Sequence, residues 1–290
     1  MKKNIYKNVQ LSNYSWFNLG GPAKILFKPK SESELSDFLK ESKNRYKKFH
    51  ILGAGSNTLF RDSGFDGVVI KLGKDFAYTK LKDNNKIEVG AATLDKKVSD
   101  FASSNSLSGF EFLSCIPGSI GGTIAMNSGC YGYDISQLFV SLRVMDFYGK
   151  IKLINKDDIK FFYRGNNLKE NLIFLSAVLR GNIMNKDDIE SKKINLINQK
   201  KKSQPSKVKT CGSTFKNPEN TKAWKLIKTS NCSNLKIGGA TMSSKHSNFF
   251  LNNGNATSSD IENLISEVQG KVFKKTGIKL ELEIKIIGGK

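Results

Sequence analysis

Two glycine-rich segments constrain this chain more than any other feature. Gly53-Ala54-Gly55-Ser56-Asn57 directly follows the apolar run Phe49-His50-Ile51-Leu52, and Ile116-Pro117-Gly118-Ser119-Ile120-Gly121-Gly122 leads into Ala125-Met126-Asn127-Ser128-Gly129. Glycine lets the backbone approach a ligand closely and turn successive N–H groups onto one anion. Ser and Asn add side-chain donors, so each segment reads as a nest for a diphosphate. Neither has the G-x-G-x-x-G spacing of a Rossmann turn, and neither carries the P-loop lysine after its second glycine. A tight turn explains one such loop; two in one chain are hard to ascribe to chance.

Composition sets the class within which those loops work. With 290 residues, 38% of them hydrophobic and 19 of them Phe, the chain can build ordinary packed cores, and its length suggests about two domains. Met1-Lys2-Lys3 precedes Asn-Ile-Tyr-Lys-Asn rather than an apolar stretch. No apolar run approaches the roughly 18 residues that span a bilayer, so a soluble cytoplasmic protein is expected, without a membrane partner. Cys115, Cys130, Cys211 and Cys232 form no C-x-x-C pair and only two histidines accompany them. That argues against structural zinc, any other metal site and a disulfide scaffold, and for free thiols in a reducing compartment.

The charge, 47 − 26 = +21, invites a nucleic-acid reading, but only five of the 47 basic residues are Arg, and base and phosphate recognition favours the bidentate guanidinium. No nucleic-acid partner is expected. The densest basic stretch, Lys192 to Lys209, contains no Asp or Glu; it reads as a solvated helix face and linker, or as a device that steers a polyanionic small molecule.

Periodicity gives the elements. Ser31 and Glu34 form a capping box before Leu35, Phe38 and Leu39, which predicts a short amphipathic helix. Phe49–Leu52 and Gly67–Ile70 predict buried strands, Lys86–Gly90 and Leu142–Leu153 are strand-like, and Leu94–Ser103 is helix-like. The polar stretch Asn182–Asp188 reads as the main linker. Ser259 and Glu262 predict the start of a helix whose Ile261, Leu264, Ile265, Val268 and Val272 share one face, with Gly277 as its C-terminal cap. In the last strand Ile278, Leu280, Leu282, Ile284 and Ile286 alternate with Lys279, Glu281, Glu283 and Lys285. Two carboxylates therefore share a face away from the core.

The two loops together resemble the vanillyl-alcohol-oxidase-like flavoprotein superfamily. More narrowly, the chain is similar to the UDP-N-acetylenolpyruvoylglucosamine reductase family of peptidoglycan precursor synthesis. The similarity runs through Asn18-Leu19-Gly20-Gly21-Pro22-Ala23, both glycine loops, Tyr163-Arg164, Gly212-Ser213-Thr214-Phe215-Lys216-Asn217-Pro218, Lys245-His246-Ser247-Asn248-Phe249 and Glu283-Ile284-Lys285-Ile286-Ile287-Gly288. The short interval from Arg164 to Ser213 resembles the shorter family form, which lacks an extra tyrosine-bearing loop.

The resemblance implies an α+β fold: a two-part FAD-binding domain over 1–71 and 72–184, followed by an α+β substrate-binding domain over 185–290. It implies non-covalent FAD held by Gly53, Ala54, Gly55, Ser56, Asn57, Pro117, Gly118, Ser119, Gly121, Gly122, Asn127 and Gly129. NADPH would be the co-substrate, a UDP-sugar the substrate, and the enzyme a monomer. Carried over position by position, the catalytic residues are Arg164, Ser213 and Glu283, with Tyr163, Lys216, Asn217 and Asn248 against substrate. His246 carries no assigned role and reads as a packing or hydrogen-bonding residue. The alternative is another flavin oxidoreductase of the same superfamily, acting on a sugar or hydroxy acid.

Overall fold

The computed structural model describes residues 4–42, 44–83 and 85–289. The chain divides into two units that it visits alternately. One comprises Met1–Tyr6, Leu26–Ala54 and Gly67–Lys200; the other comprises Lys7–Ile25, Gly55–Asp66 and Lys201–Lys290. Each mixes helix and strand, as the expected α+β class requires.

The first unit is built on a five-stranded antiparallel sheet in the order Ile151–Asn155, Phe139–Asp146, Leu172–Arg180, Lys86–Gly90, Thr79–Asp83. Ile173, Leu175, Ala177 and Leu179 alternate along Leu172–Arg180 and are all buried, the period-two pattern of a strand packed on one face. Val98 and Ala102 of the helix Asp95–Ser104 join the same apolar cluster. The segment 142–153 is a hairpin rather than one strand. Asp146 turns the chain by accepting hydrogen bonds from the amides of Tyr148 and Lys150, and Gly149 takes the left-handed conformation at φ +78°. In the same unit Phe49–Ile51 pairs in parallel with Val68–Ile70, and the first glycine loop leaves the end of that short strand.

Asn182–Asp188, expected as a linker, is ordered. Asn182–Ile183 pairs antiparallel with Leu107–Ser108, and the helix Lys186–Ser203 begins three residues later. The polar composition reflects exposure of both elements and not a break in structure.

The second unit packs the helix Ser258–Thr276 on the three-stranded sheet Lys236–Ile237, Ala240–Met242, Phe250–Asn252. Ile261, Leu264, Ile265, Val268 and Val272 are buried as the periodicity predicts. Gly277 closes the helix at φ +71°, its amide bonding back to the Phe273 carbonyl. The helix starts earlier than predicted: Thr257 is the N-cap, and Thr257 and Asp260 form the capping box. Glu262 instead makes a bidentate ion pair with Arg61 at 2.8 and 2.9 Å.

The segment Gly55–Asp66 belongs with this helix through such contacts. Thr58–Phe60 pairs in parallel with Lys285–Ile287, and Asp62 accepts hydrogen bonds from the Ser258 and Ser259 amides and the Ser259 hydroxyl. Burial would raise the Asp62 carboxyl, but those hydrogen bonds outweigh it and hold the group below the usual carboxylate range. The stability this gives is present above the ordinary pKa of about 3.9 and is lost as the pH falls below it. Asp62→Ala should therefore lower the unfolding free energy by about 1 kcal/mol at neutral pH and by much less at strongly acid pH. Urea titrations at the two pH values test this; an equal loss at both would contradict it.

Candidate active site

In the first unit Gly53, which opens the first glycine segment, meets the second segment. A Cβ on Gly53 would lie 2.8 Å from the Ser119 hydroxyl oxygen, and one on Gly118 would lie 2.4 Å from the Asp95 carboxylate. Gly121 is pressed against Ala91, to whose carbonyl its amide donates at 2.9 Å. Side chains at these positions would fill the space that brings the loops together. The Ser119 side chain is buried, and its hydroxyl has no hydrogen-bond partner in the protein. An unpaired hydroxyl in a cradle of glycines is the feature expected where a ligand oxygen completes the bonding. These residues fit the diphosphate of a flavin nucleotide.

Asp95 stands behind this loop with no exposed surface. Its carboxylate accepts from the Thr123 hydroxyl at 2.6 Å, and burial pushes it up to about 8 against the pull of the Thr123 and Gly118 hydrogen bonds. It is therefore largely protonated at neutral pH, and a second negative charge does not face the nest. Lys71, at the end of the strand Phe65–Ile70, donates to the Gly53 carbonyl and steadies the first loop from the same unit. Neither residue stands out in the sequence. Lys71 follows the apolar run Val68-Val69-Ile70 at the end of a parallel strand, a place where ligand contacts gather, and that is the signal that could have found it.

Arg164 closes a two-residue turn between Phe161–Phe162 and Gly165–Asn166. It sits at φ +59°, left-handed for a side chain that ordinarily avoids that region. Two asparagines fasten the hairpin: Asn127 donates to the Phe162 carbonyl at 3.1 Å, and Asn166 donates to the carbonyls of Ile124 and Ala125. The guanidinium lies over the Tyr163 ring, 4.9 Å from its centre, and donates to the Gly129 carbonyl at 3.1 Å. Glycine is required at 129 by the pairing of Gly129–Cys130 with Tyr133–Asp134, because a Cβ there would lie 2.1 Å from the Tyr133 carbonyl. Strain held in place by several partners marks a residue whose direction matters.

In the second unit the segment Gly212–Phe215 is bonded on both sides. The Thr214 amide donates to the Asn248 carbonyl at 2.8 Å, and the Thr214 carbonyl accepts from the Glu283 amide at 2.9 Å. Ser213 bridges Phe249, and Phe215 bridges Leu282. The Asn57 side chain adds a strut by donating to the Glu283 carbonyl at 3.0 Å, while its own carbonyl accepts from Lys285. Ser213 and Glu283 thus stand on neighbouring extended segments. Gly212 turns into the segment at φ +78°, and a Cβ there would meet nothing within 4 Å. Open space adjoins Ser213.

The alternation predicted for the last strand holds for its apolar residues, but the strand is broken. It bridges Phe215 at Leu282, bends at Ile284 and resumes as Lys285–Ile287. Glu281 is exposed and pairs with Lys216 at 3.5 Å, whereas Glu283 is half-buried at the break. Burial thus separates the two carboxylates that the sequence places on one face.

Asn217 and Asn248, expected against substrate, both hydrogen-bond to the protein backbone. The Asn217 side-chain oxygen accepts from the Ala223 amide at the start of the helix Ala223–Thr229. The Asn248 amide group both accepts from the Phe215 N–H at 3.0 Å and donates to its carbonyl at 2.8 Å, in a fully packed setting. His246 packs edge-on to Phe249 with ring centres 4.8 Å apart, and burial lowers its pKa, so it is neutral at pH 7. Cys211 donates to the Thr58 carbonyl at 3.3 Å, and burial pushes its thiol up to about 12. Among the described residues no cluster of three His, Cys, Asp or Glu could hold a metal ion, and no helix is long and apolar enough to cross a membrane.

Residues 204–287 match the family model described as UDP-N-acetylenolpyruvoylglucosamine reductase, C-terminal domain, and residues 23–155 match that of an FAD binding domain. The UDP-N-acetylenolpyruvoylglucosamine reductase of Pelagibacter ubique is 49% identical over 280 residues, which cover 96% of this chain and 92% of that protein. That of Rickettsia bellii is 44% identical over 283 residues, covering 97% and 93%. The crystal structure of UDP-N-acetylenolpyruvylglucosamine reductase from Thermus caldophilus superposes with a TM-score of 0.85 at 29% identity, covering 97% of this chain and 98% of that one. An FAD binding domain followed by a reductase-type C-terminal domain is the architecture expected from the sequence resemblance.

Because Asp95 binds its proton more tightly when folded, its contribution to stability is complete below about pH 4 and is lost as the pH rises through about 8. Asp95→Asn keeps the shape and removes that titration. The unfolding midpoint of the unmodified protein should fall between pH 6 and pH 9 more steeply than that of Asp95→Asn. Parallel profiles would show that Asp95 is not the buried acid described.

Proposed function

Given that the chain belongs to the UDP-N-acetylenolpyruvoylglucosamine reductase family, we propose that it reduces the enolpyruvyl group of UDP-N-acetylenolpyruvoylglucosamine to give UDP-N-acetylmuramate. NADPH is the reductant, FAD is bound without a covalent link, and the enzyme acts as a cytoplasmic monomer in peptidoglycan precursor synthesis. The observation that supports the reading is the two-sided backbone bonding of Thr214, next in the chain to Ser213, to Asn248 on one side and to Glu283 on the other.

The backbone at Gly53–Ala54, Gly118–Ser119 and Gly122, with the Ser119 hydroxyl, would hold the cofactor diphosphate. When bound, FAD supplies the hydride, taken from NADPH and delivered to C3 of the enolpyruvyl group. Hydride arrival drives negative charge into C2 and the adjoining carboxylate. Arg164, already fixed by Gly129 and Tyr163, binds that carboxylate and is worth more as the charge grows. Ser213 then delivers its hydroxyl proton to C2. A serine is a weak acid toward water but an adequate one toward a carbanion-like centre, provided that it is held in reach. Glu283 orients Ser213 or the enolic acid form from the adjacent segment. Lys216 is half-buried with its amide bonded to the Glu281 carbonyl, and with Tyr163 it contributes to substrate binding.

Ser213→Ala separates the two halves of the reaction. Loss of a positioned general acid costs about 10²–10⁴-fold, so flavin reoxidation by the enolpyruvyl sugar should slow by that order while NADPH still bleaches the flavin at a near-normal rate. Stopped-flow absorbance follows each half. Reoxidation at the unmodified rate would remove Ser213 from the proton-donor role.

A further inference from the structure

Lys71 is a half-buried cation without a counter-charge. Among the described residues no Asp or Glu pairs with it. The charged group that acts on it is Lys28, of like sign, whose ammonium lies 5.6 Å from the centre of the Tyr6 ring. Burial, and then Lys28, lower the Lys71 ammonium below the ordinary lysine range. A desolvated cation left unpaired costs stability. Its side chain makes one hydrogen bond, donated to the Gly53 carbonyl.

Strand register brings the group there. Ile70 pairs with Ile51, its carbonyl accepts from the Leu52 amide at 2.9 Å, and the Lys71 amide donates to the Phe27 carbonyl at 2.9 Å. Lys71 is thus anchored beside the chain just before Gly53, and its long side chain reaches the first carbonyl of the loop. The Gly53–Ala54 peptide is trans, so its N–H points opposite to its C=O. A carbonyl gripped by Lys71 therefore turns the Ala54 N–H away from the ammonium. That N–H makes no hydrogen bond to the described residues. A second unpaired donor, the Ser119 hydroxyl, lies 2.8 Å from where a Gly53 Cβ would stand, and the Gly122 amide nitrogen lies 4.0 Å from the same point. Two unpaired donors and an unbalanced cation adjoin a single glycine.

We propose that Lys71 is a positioning residue for the flavin diphosphate: its ammonium fixes the Gly53–Ala54 peptide plane so that the Ala54 N–H meets a phosphate oxygen, and its charge is balanced when the diphosphate is bound. A hydrogen bond from a charged donor polarises the peptide, drawing electron density toward the carbonyl and leaving the N–H on the far side a stronger donor. The missing counter-charge is then explained as well. A diphosphate brings negative charge to a nest of neutral amides and a hydroxyl, and Lys71 supplies a cation behind the nest without occupying it. The inference rests on the reading of the glycine loops as the diphosphate site.

The test uses the full-length FAD-loaded protein and its Lys71→Met, Lys71→Arg and Ser119→Ala variants. Methionine keeps an unbranched apolar stem and removes both donor and charge. Serial dilution with flavin fluorescence as the readout gives FAD release, and phosphorus NMR of the loaded proteins reports the bound diphosphate. Lys71→Met should weaken FAD binding by about 10- to 100-fold, the worth of a charge-assisted hydrogen bond, and should shift the diphosphate resonances. Lys71→Arg restores a charged donor and should hold FAD within about fivefold of the unmodified protein, with the resonances moved back toward their original positions. If Lys71→Met does not fold, Lys71→Gln takes its place: it is neutral but still a donor, and should bind FAD less tightly than Lys71→Arg. Unmoved phosphorus signals in Lys71→Met would overturn the proposal, whether FAD binding weakens or not, because a residue that only supports the strand leaves the bound diphosphate as it was. Ser119→Ala separates that failure from failure of the site beneath it. If Ser119→Ala weakens FAD binding and Lys71→Met does not, the diphosphate lies on the loops and Lys71 has no part in holding it. If neither weakens it, the loops are not the diphosphate site and the proposal falls with them.

Discussion

The backbone of Thr214 is bonded on both sides, to Asn248 and to Glu283, and the proposed chemistry depends on that clamp. A serine hydroxyl protonates carbon only when its position is fixed. Its direction comes from the extended backbone at Ser213–Phe215, held by the paired amide of Asn248 on one edge and the Leu282–Glu283 segment on the other. Asn57 extends the clamp by gripping the Glu283 carbonyl. A residue of the first glycine loop is thereby tied to the segment carrying the proposed carboxylate.

The first unit meets a different physical demand, since a diphosphate must be met by donors and not by charge of its own sign. The glycines at 53 and 118 leave the space that a Cβ would fill beside Ser119 and Asp95, and the buried Ser119 hydroxyl has no partner in the protein. The Asp95 carboxyl stands against Gly118, and its complete burial keeps the proton on. Complete desolvation, usually a penalty, here removes a repulsion. The same unit stores strain at Arg164 and relieves none of it, because Asn127, Asn166 and Gly129 together over-determine the turn.

Elements set by local chemistry were legible in the sequence. Gly277 marks its helix end because only a residue tolerant of φ +71° closes that cap, and the stripe from Ile261 to Val272 follows from helical geometry alone. The errors fall where distant residues compete with local signals. Ser259 and Glu262 have the spacing of a helix start, yet Asp62 takes the Ser258 and Ser259 amides and Arg61 takes Glu262, leaving Thr257 to cap. The run 142–153 concealed a turn because Asp146 and Gly149 are separated by Phe147 and Tyr148, whose apolar bulk continues the strand pattern. The bend at Ile284 leaves no mark in a perfectly alternating sequence, since it is imposed by a change of partner from Phe215 to Thr58–Phe60. Of the candidate site, the motif residues were visible; the burial that distinguishes Glu283 from Glu281, and the roles of Asp95 and Lys71, arise only from packing.

Asn248 offers the most direct test of whether the clamp serves catalysis. It touches the backbone of Phe215, so its replacement changes Ser213 only through position. Asn248→Asp turns one donor into an acceptor facing the Phe215 carbonyl and should loosen the segment without removing any reacting group. Stopped-flow traces of the FAD-loaded variant should show reduction by NADPH within about twofold of the unmodified enzyme. Reoxidation by the enolpyruvyl sugar should be slowed by about 10²-fold, the cost of a displacement near 1 Å. Unchanged reoxidation in a folded Asn248→Asp protein would contradict the claim that the two-sided bonding of Thr214 positions the proton donor.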